Sequence, residues 1–232
     1  AYVREKEKKT KEKNLELPSY TASREWCTVG GMVANDSGGE KNLKYGKTAR
    51  YVEELDVVLA DGAVHTLKKL DGEALSKKLS EQSFEGELYR SVSSLLKKNA
   101  DVIAHATPIV SKNSAGYALW DIGDGVSALD LPRLFSGSQG TLGIITKIKF
   151  SLVRPKPYSS MVVMFLSDIN ELSTIVPDVL ADKPDSFESY DDNTFKLAVK
   201  YFPEFALQMK GNLISLGLAF LPEVFMAATG GV

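Results

Sequence analysis

Glycine is concentrated in this chain at two places, and their composition constrains the fold more than any other feature. The first is Thr28-Val29-Gly30-Gly31-Met32-Val33-Ala34-Asn35-Asp36-Ser37-Gly38-Gly39, and the second is Phe135-Ser136-Gly137-Ser138-Gln139-Gly140-Thr141-Leu142-Gly143-Ile144-Ile145-Thr146. Both are small and nearly uncharged. Dense glycine permits positive φ and lets a ligand approach the main chain where a Cβ would block it. Successive N–H groups in such turns form concavities suited to anions or carbonyls. A large, flat, polar-edged ligand needs a surface of that kind.

The second segment runs into a strand. Ile144, Thr146, Ile148, Phe150 and Leu152 alternate with Ile145, Lys147, Lys149, Ser151 and Val153, which predicts one apolar face and one carrying lysines. Tyr51 to Leu59 and Ala63 to Leu67 read as two further strands, joined at Asp61-Gly62 by a tight primed turn. Ser83 to Ala104 reads as one helix with Leu88, Val92, Leu95, Leu96 and Ile103 near helical spacing. Arg4 to Lys13, an alternation of Arg, Lys and Glu, reads as a solvated helix closed before Pro18. The prolines of Arg154-Pro155-Lys156-Pro157 mark a boundary. Beyond it, strands are expected at Met161 to Leu166 and Ser186 to Tyr190. Helices are expected after Asp168, which with Glu171 forms a capping box, and through Phe195 to Tyr201.

Composition excludes several function classes. With 28 basic and 30 acidic residues in 232, no overall field favours nucleic acid. The single cysteine, Cys27, rules out an internal disulfide and a multi-cysteine metal site, and fits a reducing compartment. The most apolar run, Leu213 to Thr229, is short and interrupted by Pro222 and Glu223, so it reads as packed helix and not as a transmembrane span. His65 and His105 have no evident catalytic partner, and Asp191-Asp192 reads as a helix N-terminus. Phosphate-loop, metalloprotease and nucleophile-elbow patterns are absent. Gly30-Gly31 lacks the Gly-x-Gly-x-x-Gly spacing of a doubly wound nucleotide site.

Taken in order, Gly-Gly-x-x-Ala-Asn-x-Ser-Gly-Gly, Leu43-Lys44-Tyr45-Gly46-Lys47-Thr48, Val57-Val58-Leu59-Ala60-Asp61-Gly62, Gly116-Tyr117-x-Leu119 and Gly-Ser-x-Gly-Thr-Leu-Gly-Ile-Ile-Thr resemble one family. It is the FAD-linked oxidases and dehydrogenases of the vanillyl-alcohol-oxidase type (PCMH-type FAD-binding), in the D-lactate dehydrogenase and glycolate oxidase subunit branch. Leu197-Ala-Val-Lys-Tyr-Phe-Pro and Leu221-Pro-Glu resemble the start of that family's substrate cap. The family's pyrophosphate-binding lobe and catalytic histidine motif have no counterpart, so the chain is expected to be a segment from the middle of a longer protein.

The resemblance implies an α+β fold: residues 1–153 as the second lobe of the FAD-binding domain, and 154–232 as the truncated start of an α/β cap. It implies an enzyme that oxidises a 2-hydroxy acid by hydride transfer to FAD and passes electrons to an unspecified acceptor. The full-length protein would be cytoplasmic, with peripheral membrane attachment left open. FAD contacts are expected from the main chain of Gly30, Gly31, Met32, Gly143, Ile144 and Ile145, from the side chains of Asn35 and Ser37, and from Gly38. Asp36 stands where the family often has Asn, and Gln139 where it usually has Glu. Tyr117 and Trp120 are expected to fill the core. No catalytic residue is assigned, since the base is expected outside the segment, which alone should not turn over. The alternative is a non-catalytic module of the same family that acts in assembly or interaction.

Overall fold

The structure, a computed structural model, describes residues 1–110 and 112–208. The expectations for Leu213 to Thr229 and for Leu221-Pro-Glu lie outside the described residues. The chain divides into two compact units, Ala1–Pro157 and Tyr158–Val232.

The first unit opens with helix α1, Val3–Lys11, where most of the charged residues face solvent, Val3 is fully buried and the Lys6 ammonium is drawn inside, its pKa lowered by burial. The first glycine segment forms a short helix, α2, Val29–Ala34, followed by α3, Asn42–Tyr45. Strands β1, Val52–Val58, and β2, Val64–Asp71, then form an antiparallel hairpin that pairs Leu55 with Leu67 and Val58 with Val64. Its turn differs from the primed form expected. Gly62 alone has positive φ, 78°, and its N–H reaches the Leu59 carbonyl at 3.0 Å. That is a type I turn followed by a left-handed glycine, which Asp61 supports by accepting the Ala63 N–H at 3.1 Å.

Helix α4, Gly72–Ser80, leads into α5, Phe84–Lys98, and α6, Ala100–His105. The single helix expected here is broken at Asn99, where ψ is 20° and the side-chain amide donates to the Leu95 carbonyl at 2.8 Å. The inward face of α5 is Gly86, Tyr89, Ser93 and Leu96, while Leu95 is 46% exposed. Ser93 belongs inside because its hydroxyl donates to the Gly125 carbonyl, and a buried hydroxyl with a partner costs little.

Strand β3, Ala128–Asp130, passes directly into α7, Leu131–Phe135, where the Asp130 side chain accepts the Arg133 N–H and Pro132 occupies the first turn. The second glycine segment then delivers β4, Ile144–Phe150. Among the described residues the sheet order is β3-β2-β1-β4, antiparallel throughout. Leu55, Val57, Leu67, Leu129, Leu131, Phe135, Leu75 and Tyr89 share one core between sheet and helices. On the outer surface Lys149 pairs with Glu53 and Glu54, and Lys147 with Asp56 at 3.5 Å.

In the second unit, α8, Leu172–Ala181, follows a short 3-10 turn, and α9 spans Asp192–Gln208. Asp168 caps the Asn170 N–H at 2.9 Å, and Asp191 caps Thr194 at 2.8 Å. The reciprocal capping box does not form, because Glu171 takes the Ser167 hydroxyl. Met161 to Leu166 and Ser186 to Tyr190 form no strand. A strand requires a neighbour for its backbone groups, and none is present among the described residues.

Candidate functional site

Two segments separated by about a hundred positions meet edge to edge. The Gly137 N–H donates to the Val33 carbonyl at 3.0 Å and the Gln139 N–H to the Ala34 carbonyl at 2.8 Å. The Gln139 side-chain amide donates to Asn35 Oδ1 at 3.0 Å, and Asn35 Nδ2 donates to Ser37 Oγ at 3.0 Å. The C-terminal end of α2 and the second glycine loop therefore form one continuous surface, with Asn35 exposed upon it.

The two segments differ in conformation. In the second, Gly137, Gln139 and Gly140 have positive φ, as expected of a ligand-cradling turn. In the first, Gly30 and Gly31 are helical, because the Thr28 hydroxyl accepts the Gly31 N–H at 3.1 Å and caps the turn. Helix formation lets Met32 and Val33 bury, at 1% and 0% exposure. The Met32 N–H is bonded to the Thr28 carbonyl, and its own carbonyl accepts the Ser37 N–H. Gly30 is different, since no atom lies within 4 Å of where its Cβ would be.

Beyond the loop, Gly143 presses on β1: an added Cβ would lie 2.7 Å from Val57 Cγ1 and 2.8 Å from the Val58 carbonyl. Ile144 is 68% exposed, and Ile145 packs against the core. The register slips between the pairs Asp56↔Lys147 and Val57↔Ile145, so Thr146 bulges out. That bulge breaks the strict alternation expected of this strand and turns Ile145, not Ile144, inward with Ile148. Since β4 is an outermost strand among the described residues, main-chain groups around Ile144 and Ile145 that do not pair with β1 face outward.

A cleft of about 420 Å3 opens beside this surface, and Asp36, Arg50, Trp120, Arg133 and Gly137 are among its walls. Ligand pockets span roughly 300–1,000 Å3, so this cleft could take part of a large cofactor. Asp36, 9% exposed with φ of 43°, accepts the Ala49 N–H at 2.8 Å and pairs with Lys47. Lys47 also donates to the Asn113 carbonyl at 2.6 Å. Arg133 pairs with Asp121 and lies 3.7 Å from Asp130. Tyr117 is 41% exposed and therefore does not fill the core; its hydroxyl meets Thr141 Oγ1 at 2.7 Å and ties its loop to the second glycine segment. Trp120 is half-buried at the cleft wall. Lys47, Arg50, Arg133 and Asn113 carry no periodic signal, and the sequence alone gave none of them a role; only Lys47 stood within a quoted motif, Leu43-Lys44-Tyr45-Gly46-Lys47-Thr48.

Other titratable side chains have local roles. His65 meets Asp61 at 2.8 Å and stacks obliquely on Phe84, while His105 bonds the Asp101 carbonyl. Tyr20 donates to Glu40, and burial is the main cause that pushes its hydroxyl up to about 12. Among the described residues no cluster could hold a metal ion, and no helix is long and apolar enough to cross a membrane.

The sequence of the first part, compared with known families, matches the FAD binding domain over residues 2–68. Over these residues the chain is similar to that domain. Three relatives are similar over longer stretches of the chain. D-2-hydroxyglutarate dehydrogenase of Pseudomonas putida is 29% identical over 175 residues, 75% of this chain and 17% of that protein. Glycolate oxidase subunit GlcD of Bacillus subtilis is 30% identical over 192 residues, 82% of this chain and 30% of that protein. The probable mitochondrial D-2-hydroxyglutarate dehydrogenase of Oryza sativa subsp. japonica is 26% identical over 194 residues, 82% of this chain and 25% of that protein. The chain thus spans less than a third of the length of these relatives.

The FAD binding domain has FAD as its cofactor, and features of the site fit that ligand. Gly30 leaves open space at its Cα. Two buried polar atoms beside the segments, Asn42 Oδ1 and Ser138 Oγ, have no hydrogen-bond partner, and such groups are costly unless something satisfies them. The Asn42 side-chain oxygen lies against Gly38, 2.5 Å from where a Cβ would be.

Proposed function

We propose that residues 1–153 are the second lobe of a PCMH-type FAD-binding domain and that 154–232 begin a substrate cap. The full-length enzyme would oxidise a 2-hydroxy acid, of the class named for its relatives. The observation that carries this reading is the joined surface of the two glycine segments within a chain whose start matches the FAD binding domain.

The chemistry that FAD supplies when bound is acceptance of the hydride carried on the substrate α-carbon. What this chain contributes is position. Gly30 offers an unobstructed point on the helical edge, Gly31 beside it is capped by Thr28, and Met32 supports the edge from the core below. Asn35 and Ser37 hold each other, and Gln139 braces them from the second segment; Asn35 keeps one N–H and Ser37 its hydroxyl proton for a ligand. The lack of a side chain at Gly38 lets Asn42 pack against it, and Gly143, Ile144 and Ile145 present the free edge of β4. The general base and substrate cations belong to the cap.

The test begins with the visible absorbance of the purified chain, before and after addition of FAD and gel filtration. It continues with 2-hydroxy-acid-dependent dye reduction by the full-length protein. A flavin band and turnover in the full-length protein, with no turnover by this chain alone, is the expected result. Absence of flavin from both proteins would overturn the assignment.

A further inference from the structure

Asp36 is the one residue of the first glycine segment with positive φ, 43°, a conformation that a non-glycine residue holds only when its surroundings impose it. Each restraint is visible. Its Oδ1 accepts the Ala49 N–H at 2.8 Å, its Oδ2 pairs with Lys47, and its backbone N–H donates to the Val33 carbonyl at 2.9 Å. On its remaining side lies Gly137, whose added Cβ would sit 3.3 Å from Asp36 Cβ. Lys47 continues the chain of contacts to the Asn113 carbonyl at 2.6 Å. The Asp36 side chain is 11% exposed and that of Lys47 26%. Four otherwise separate stretches therefore converge on one ion pair: the end of α2, the turn before β1, the loop after α6, and the second glycine segment.

We infer that Lys47 is a positioning residue, the counter-charge that holds the left-handed bend at Asp36 and so fixes Asn35 and Ser37 on the FAD-facing surface. The inference rests on the FAD reading above. It also answers an electrostatic difficulty. A lone carboxylate between Asn35 and Ser37 would repel an electron-rich, phosphate-bearing ligand, whereas a carboxylate paired with an ammonium presents little net field. Removing one member of a largely buried pair leaves the other uncompensated, which costs far more than removing both. That asymmetry gives the test its sign.

The experiment uses the whole chain and three variants, Lys47→Met, Lys47→Arg and the double variant Asp36→Asn/Lys47→Met. FAD affinity is measured by equilibrium dialysis and stability by thermal melting without FAD. Lys47→Met is expected to weaken FAD binding on the order of tenfold and to lower Tm by about 5 °C. The double variant, in which the Asn carbonyl still accepts from Ala49, and Lys47→Arg should each recover most of both losses. Recovery of FAD affinity on removal of a second side chain is a result that general loosening would not produce. Unchanged FAD affinity in Lys47→Met, or losses that simply add in the double variant, would overturn the inference. If no version of the chain, wild type included, binds FAD, the same dialysis is run on the full-length protein and its variants; absence of flavin there as well overturns the FAD-facing part of the inference, and the melting cycle then decides whether the ion pair holds the bend.

Discussion

At the scale of single residues, the glycines separate into two groups by what surrounds them. Gly143 is required by packing, because any Cβ would meet Val57 and the Val58 carbonyl within 2.8 Å. Gly30 is required by nothing in the protein, and it lies in a helix, where glycine is roughly 1 kcal/mol poorer than alanine. The contrast makes a prediction. Gly143→Ala should cost about 1–3 kcal/mol in chemical denaturation, whereas Gly30→Ala should leave stability equal or raised by up to about 1 kcal/mol. If FAD lies against the Gly30 edge, Gly30→Ala should nonetheless lower FAD affinity, by roughly tenfold for a contact worth about 1.4 kcal/mol. Full affinity in a stable Gly30→Ala protein would remove this edge from the cofactor surface. Sequence alone marked both positions but not the difference between them, which depends on which neighbours the fold brings within reach. It also marked Asp36 as an anomaly and held Lys47 in a motif without giving it a partner, since an ion pair made by a turn has no periodicity to betray it.

At the scale of elements, local pattern was legible and tertiary correction was not. The hairpin, the charged first helix, the long helix and the start of β4 at Ile144 all follow from spacing. The bulge at Thr146, the break at Asn99 and the inward turn of Ser93 follow from partners that spacing does not report. The loop that delivers β3 shows how a single side chain can supply what pattern lacks. Asp124 accepts the N–H groups of Val126, Ser127 and Ala128 and the Ser127 hydroxyl, and these bonds hold its carboxyl well below the usual carboxylate range. A carboxylate whose folded pKa is depressed stabilises the protein fully above its unfolded value, near 3.9, and loses that contribution as pH falls through the folded value. Asp124→Ala should therefore melt below wild type at pH 7, by an amount on the order of 1 kcal/mol for these exposed hydrogen bonds. The gap between the two proteins should close as the pH is lowered from 5 towards 2. A gap that stayed constant with pH would show that the loop is held by something other than the charged carboxylate.

At the scale of the whole molecule, the two units have different surfaces, and the difference leads to a prediction about truncation. The first, Ala1–Pro157, encloses its own apolar cluster from α2 through β4, and every residue proposed for the cofactor surface lies within it. In the second, Met161, Val162, Val163, Met164 and Phe165 are exposed at 87, 82, 60, 46 and 45%. Their composition predicted a strand, yet a strand is a property of two chains of backbone, and the sequence of one cannot show whether the other is there. Contiguous apolar surface of this kind favours self-association in water. A chain ending at Pro157 should therefore melt in one cooperative transition within a few degrees of the first unit in the full chain. It should keep whatever FAD affinity the full chain has, and it should sediment as a smaller, less associated species. If the shortened chain folds but loses FAD while the full chain retains it, then residues beyond 157 contribute to the cofactor surface. The boundary between binding lobe and cap would then lie further along the chain than the prolines at 155 and 157 suggest.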